Sequence, residues 1–492
     1  MILSTQFYII MIYFLIIILV GIFAKKFVKN SFDLLVAGRN LGLSLTIFAI
    51  AGEWLGGTST VAVGQWAYKY GISPIWYNIS TSVGIFIFGL TWAMLYRRKK
   101  IVTIPEMLEK LYNKDLRLIS AIFFIVAYLF LSSVQISSIG SLFSGALSMN
   151  INIAIIIAGL GITIYTLAGG MFSVALTNFI HVFVIWFSLG IAYIWYMNKV
   201  AWYPGLIAKL DILSNTEAIK LTTETIELTS KNALNLLGMG TEQVLAWIVG
   251  GIAGAFAAQA SVQPIFAAKD AKTAKKASLI APIVIAPLGF LVTSIVMAGV
   301  ALNGGYASSD TRLALPVALM KIPNSLIGGF AMAGVFAAIA STEALILLGM
   351  ATMFTKDIYQ RGDKNISDKK IAFITRIGIL IAGIVSIIMA LITKELPIAT
   401  YLNYAMRSSA FIILACGIYW AKPSSKSAII SIVSAFIVAG IWYGFYIYSG
   451  RYPFNFDVVF ACILISIITL FLSTFLLPGG KRNITPKELL KD

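Results

Sequence analysis

Between Gly52 and Thr58 the chain reads Gly-Glu-Trp-Leu-Gly-Gly-Thr, inside a stretch that is otherwise apolar enough to form a membrane helix. Glycines and a carboxylate interrupt such a helix. In hydrocarbon each unpaired backbone N–H or C=O costs several kcal/mol, so a broken span persists only where protein, ions or a water-filled cavity take over the freed groups. Carriers use such breaks to hold ions and solutes near the bilayer midplane. Three charged residues fall at similar depth: Glu53, Glu343 and Arg407. Each would cost roughly 2.5–3.5 kcal/mol or more if left unpaired, so each must be paired or functional. Either carboxylate could strengthen the field at a cation site, carry a coupling proton or contact a cationic solute. The alternative is a buried structural pair with Arg407. Catalytic groups are sparse. His181 is the single histidine, and Cys416 and Cys462 both lie in apolar spans without metal-ligand or redox spacing, which argues against a membrane-embedded enzyme.

The elements that would position these residues are membrane helices. The 492 residues are 59% apolar and 12% charged, against roughly 25% charged in a soluble domain. Runs of about 20 apolar residues recur about thirteen times, at 6–24, 42–69, 74–96, 118–147, 151–168, 171–197, 241–266, 278–302, 325–353, 371–393, 398–420, 427–449 and 457–477. The expected fold class is an all-α integral membrane protein. The first run lacks a basic n-region and a cleavage site, so it is expected to be a retained helix.

Lysine and arginine alternate between loops. Lys25, Lys26, Lys29 and Arg39 follow the first span, Arg97 to Lys100 the third, Lys269, Lys272, Lys275 and Lys276 the seventh, and Lys356, Arg361, Lys364, Lys369 and Lys370 the ninth; Lys481, Arg482, Lys487 and Lys491 close the chain. These loops are expected in the cytoplasm of a cell-membrane protein, with the N-terminus outside and the C-terminal tail, 478–492, inside. The net charge of +17 is thereby explained by topology and by attraction to membrane lipid, not by nucleic acid. The polar segment Lys199–Glu242, with Thr222-Thr223-Glu224-Thr225, reads as an outer surface loop with some short helix. Thr103 to Leu111 reads as a short amphipathic helix at the inner membrane interface, with Pro105 in its first turn.

Several segments together resemble the sodium:solute symporter family: Phe32 to Arg39, the broken span ending Ala67-Tyr68-Lys69-Tyr70-Gly71, Thr103–Glu109, Tyr165 to Met171, Ala267-Ala268-Lys269, and Ala340-Ser341-Thr342 followed by Asp357-Ile358-Tyr359. They occur in family order over about residues 6 to 420, and Trp54 to Gly57 with Tyr165–Met171 look most like the choline branch. The resemblance implies the leucine-transporter fold: one leading helix (6–24), two inverted five-helix repeats (42–197 and 241–420) and two following helices (427–477), in one transport domain. Glycine clusters in the first helix of each half, Gly52/Gly56/Gly57 and Gly250/Gly251/Gly254, fit paired breaks.

The resemblance also implies a sodium site. Its ligands would be the backbone carbonyls of Gly52, Leu55 and Ala338 and the hydroxyls of Ser341 and Thr342. Spacing agrees, because positions i, i+3 and i+4 share a helix face, and uncharged oxygens suit a monovalent ion that must leave again. Thr177-Asn178 stands where the family usually has Thr-Asp, which removes a carboxylate associated with a second cation site or a proton relay; one coupling Na+ is expected. Gln263-Pro264 replaces the usual Gln-Arg. Candidate solute contacts are Glu53, Trp54, Thr58, Phe256, Gln259 and Arg407. Trp54 could face a quaternary ammonium, but the positions of other cage tryptophans read Leu131 and Ala258. Arg407 could hold a carboxylate. Glu53, Glu343 and Asn178 are the candidate coupling or proton residues, and His181 reads as a packing residue.

The expectation is sodium-coupled symport of a small organic solute, an amino acid, a small carboxylate or a choline-like cation, without organic cofactor or obligate protein partner. The alternatives are a proton-coupled or uncoupled carrier of the same fold, or a transporter-like membrane sensor. The sensor would need an output domain, and fifteen residues follow the last span.

Overall fold

Apolar runs closed by polar caps build the molecule. The computed structural model describes residues 5–168, 170–215, 228–304, 310–361, 366–477 and 482–490. Gly169, Thr222 to Thr225, Lys364, Lys481 and Lys491 lie outside the described residues. In chain order the first half contains α1 (Thr5–Ala24), α2 (Ser31–Val36), α3 (Leu43–Trp54), α4 (Val63–Tyr70), α5 (Trp76–Thr91), α6 (Ala93–Arg98), α7 (Ile104–Leu111), α8 (Lys114–Leu147), α9 (Ile151–Ala168), α10 (Met171–Lys199) and α11 (Trp202–Asn215). The second contains α12 (Thr241–Phe256), α13 (Gln259–Ala267), α14 (Ala271–Ile285), α15 (Leu288–Asn303), α16 (Ala314–Met320), α17 (Ser325–Met353), α18 (Asp368–Ile392), α19 (Leu396–Tyr419), α20 (Ser425–Ser449), α21 (Val458–Leu476) and α22 (Pro486–Leu490). Among the described residues, nine helical segments are long and apolar enough to cross a bilayer.

Capping explains many of the boundaries. The side chains of Asn30, Thr103, Asn113, Asp270, Asn324, Ser424 and Asp457 accept bonds from first-turn N–H groups, satisfying donors that would otherwise be orphaned. α17 lies at the centre and touches α1, α3, α8, α10, α13 and α18. Its residues from Ala331 to Met353 are all buried, which places Ser341, Thr342 and Glu343 in the middle of the molecule.

Two helices are interrupted beside α17. α3 ends at Trp54, and after Leu55 to Gly57 the chain resumes with a wide turn in which the Ala62 N–H reaches the Gly57 carbonyl at 2.9 Å. The second break falls at Ala257 and Ala258, between α12 and α13, where Ala258 is extended. This corrects the expectation that Gly250, Gly251 and Gly254 mark it. All three lie within regular α12 and serve contact: a Cβ on Gly250 would meet Tyr404, on Gly251 Ser80, and on Gly254 Arg407. Small residues there let helices approach closely.

α7 also differs from expectation. Its Ile104, Pro105, Met107, Leu108 and Leu111 are buried, so its apolar face packs on protein instead of lying in the lipid interface. Tying contacts hold it: Gln259 accepts from the Ile104 N–H at 2.8 Å and donates to the Val102 carbonyl at 3.1 Å, and Thr103 donates to Asp357 at 2.9 Å. The loop before α12 contains a helix, α11, and the segment after the undescribed residues docks on the connection between α4 and α5, with the Ile72 N–H 2.9 Å from the Ala233 carbonyl and the Ser73 hydroxyl 2.9 Å from that of Leu236.

Candidate ion and solute site

The break in α3 faces α17. The Ser341 hydroxyl lies 2.7 Å from both the Gly52 and the Ala338 carbonyl oxygens. The Thr342 hydroxyl donates to the Gly52 carbonyl at 3.0 Å and to the Glu53 carbonyl at 2.8 Å. Five neutral oxygens therefore converge: three carbonyls from residues 52, 53 and 338 and two hydroxyls. Such a set fits an alkali cation, whose hydration shell it can replace without a bound countercharge. Leu55 is fully buried in the break, while the carbonyl the structure brings to Thr342 beside that of Gly52 belongs to Glu53. Gly56 makes the approach possible, since a Cβ there would stand 2.3 Å from the Thr342 hydroxyl oxygen. Asn178 borders the same turn. It is fully buried, a Cβ on Gly52 would meet its amide, and neither amide atom has a hydrogen-bond partner among the described residues.

A second cluster adjoins the break at Trp54. Arg407 is fully buried, and its guanidinium carbon sits 5.3 Å from the Trp54 ring, 5.2 Å from Tyr404 and 6.0 Å from Tyr128. Among the described residues none of its three side-chain nitrogens meets an acceptor at bonding geometry, with the Tyr128 hydroxyl the near neighbour. Among the described residues the buried Trp54 indole N–H also lacks an acceptor, and the buried Tyr404 hydroxyl has only that of Tyr77 for a near neighbour. Glu53 accepts from the Ser261 hydroxyl at 2.5 Å, and Glu343 from Ser132 at 2.5 Å, leaving its other oxygen without a partner. Neither carboxylate forms an ion pair with Arg407, so the structural pair weighed from the sequence is absent.

Other candidates are spent elsewhere. Gln259 uses its amide on the backbone before and within α7, and Phe256 packs its ring against Trp92 at 4.7 Å and Phe411 at 4.9 Å. Thr58 is buried within 3.4 Å of the Gln135 amide. His181 bonds Tyr13 at 2.6 Å, tying α1 to α10, in line with a packing role. Pro264 lies inside α13, where the neighbouring Gln263 donates to the Leu35 carbonyl at 2.9 Å.

Sequence reasoning missed Ser132, Gln135, Tyr128, Ser261 and Tyr404. Gln135 accepts from the Gly57 N–H at 2.6 Å and so satisfies a donor freed by the break. A signal existed, because Ser132, Ser133, Gln135, Ser137 and Ser138 crowd one stretch of an otherwise apolar span.

The two ends of the bundle differ. At the end carrying α7, Arg117 bridges Glu109 at 2.5 Å and Asp357 at 2.7 Å, and Arg97 reaches the Ala268 carbonyl at 2.5 Å. At the other end a cavity of about 430 Å³ opens, with Trp66, Tyr70, Glu242, Gln243 and Asp457 in its walls.

A model of the sodium:solute symporter family matches residues 34–434. The chain belongs to that family. The symporter is 26% identical to the human high affinity choline transporter 1 over 97% of this chain and 86% of that protein. It is 23% identical to the osmoregulated proline transporter OpuE of Bacillus subtilis, over 88% of this chain and 87% of the relative. Among solved structures it superposes on a Na+-coupled sialic acid symporter with a TM-score of 0.76, at 19% identity, covering 97% and 99% of the two chains. That likeness establishes the shared fold. The relatives are transporters, not enzymes.

Proposed function

We propose that this protein is a secondary active carrier that couples Na+ entry to symport of a small organic solute bearing a carboxylate, by alternating access about the two broken helices. The observation that carries the reading is the convergence of the Ser341 and Thr342 hydroxyls on the Gly52 carbonyl at a helix break. Sodium bound there would join α3 to α17, so binding and the packing of those helices would favour each other. Residues 42–197 and 241–420 act as the inverted repeats, each opened by an interrupted helix. A single sodium per cycle fits the neutral Asn178.

Arg407 supports the carboxylate. A buried guanidinium without acceptors is costly unless a ligand supplies them, and its planar fork matches a carboxylate with two parallel bonds. Trp54 already presents its ring to that cation, which disfavours a choline-like solute at the same face. Because Arg407 is fully buried, solute reaches it only when the helices around it move. The free oxygen of Glu343 supports one second reading, coupling by a proton held between Glu343 and Ser132.

Uptake into proteoliposomes decides between them. An inward sodium gradient should drive accumulation of an amino acid or small carboxylate, and potassium should not. Uptake that ignores sodium and follows a pH gradient would overturn the sodium reading in favour of Glu343.

A further inference from the structure

A cleft of about 160 Å³ lies between the segment entering α2 and the first turns of α18, with Lys29, Asn30, Ser31, Asp368, Lys369 and Arg376 in its walls. Ser31 donates to Asp368 at 2.6 Å, joining the two walls. Three cationic side chains against that one carboxylate leave the cleft with a charge of +2. On α18, Lys369, Phe373 and Arg376 recur at helical spacing and share one face. That face is exposed, and α18 is long and apolar enough to cross a bilayer: Phe373 is 60% exposed, and Leu380 and Ile381 continue the exposed apolar surface.

Arg376 is the anomaly. It stands eight residues into α18, about 12 Å from the helix start at 1.5 Å per residue, exposed on the lipid side. It makes no ion pair or hydrogen bond among the described residues. The headgroup layer of one leaflet is about 5–8 Å deep, so a guanidinium at this depth must reach back toward phosphate oxygens. The cleft it lines gives that path, with Lys369 and Lys29 nearer the surface. Basic pockets between helices at the inner membrane surface recognise anionic headgroups.

We propose that the cleft binds the headgroup of an anionic phospholipid, its phosphate between Arg376 and Lys369, with Lys29 closing over it from the segment before α2. The bilayer is the source, because the open side of the cleft is flanked by the exposed face of α18. A headgroup there would tie α2 to α18. α2 in turn holds α13 through the Leu35 carbonyl and Gln263, so the lipid would brace the inner end of the second broken helix.

The test uses the full chain in nanodiscs of phosphatidylcholine alone or with one-third phosphatidylglycerol, read by thermal midpoint and by the phosphatidylglycerol retained after detergent extraction. The wild-type midpoint should rise with phosphatidylglycerol. A Lys369→Gln/Arg376→Gln variant should lose most of that rise and its retained lipid, by about fivefold for each charge removed. A Lys272→Gln/Lys276→Gln control on α14, with equal charge loss, should behave as wild type. Soluble glycerol phosphate should not substitute; if it does, the site is a free-anion site and the lipid proposal fails. Equal losses in variant and control would also overturn it, leaving bulk surface charge as the cause. Lys29→Gln, outside α18, repeats the measurement if the double variant is not monodisperse; unchanged retention there refutes the cleft.

Discussion

Replacing Arg407 by glutamine should move solute affinity and fold stability in different directions. In the folded protein the guanidinium is fully buried and meets no acceptor at bonding geometry among the described residues; the faces of Trp54, Tyr404 and Tyr128 compensate it in part, and the Tyr128 hydroxyl and the more distant Glu53 add to that field. Burying an ion without acceptors costs several kcal/mol, while stacking on an aromatic face returns about 2 kcal/mol when desolvated. Removing the charge therefore leaves the solute-free protein about as stable as before, or more so. Binding behaves differently. Deleting one partner of a buried charge pair costs about 2–5 kcal/mol, which is roughly 30-fold to several-thousand-fold in Kd. The assay is paired: thermal midpoint of the solute-free protein, and sodium-dependent binding of a labelled carboxylate solute to the same preparation. An Arg407→Gln variant that melts several degrees lower yet binds solute within threefold of wild type would refute the argument, and the guanidinium would then be a structural group.

Ser341→Ala and Thr342→Ala should each raise the sodium concentration for half-maximal uptake by about tenfold, as expected for one lost charge-assisted contact of about 1.5 kcal/mol; unchanged activation in both would remove these hydroxyls from the site. Gly56→Ala should abolish sodium activation, since its methyl would overlap the Thr342 hydroxyl, and normal activation would show that the break does not need this approach. Arg482 donates to the Trp420 and Gly417 carbonyls at the end of α19 and stacks on Tyr112, so Arg482→Ala should cost about 1–3 kcal/mol in urea unfolding of the detergent-solubilised protein, and an unchanged midpoint would mean the contact is idle. The Thr273 N–H holds the exposed Asp270 carboxyl below its usual range at the cap of α14. Its contribution is present above the unfolded value of about 4 and is lost as pH falls through the lower folded value. Asp270→Asn should therefore differ from wild type at neutral pH and converge with it in acid; melting curves a constant distance apart across that range would contradict the assignment.

Hydropathy alone made the molecule a helical membrane protein, because the length and apolarity of a span are properties of consecutive residues. The break at Gly52 to Thr58 was equally legible, since glycines beside a carboxylate disrupt a span wherever they occur. Ser341 and Thr342 were paired with that break only by what the resemblance to sodium:solute symporters implies; helical spacing puts them on one face but does not join that face to the break. The second break could not be located from its glycines: Gly250, Gly251 and Gly254 serve contacts with Tyr404, Ser80 and Arg407, which are distant in sequence. For the same reason Gln259 and Phe256 looked free for solute, while tertiary packing commits them to α7 and to an aromatic cluster. The state of Arg407 was decided last and only by the fold. Composition required that a buried cation be paired or functional, but whether Glu53 or Glu343 stands within bonding distance depends on how α3, α17 and α19 cross, and no local sequence pattern encodes that crossing.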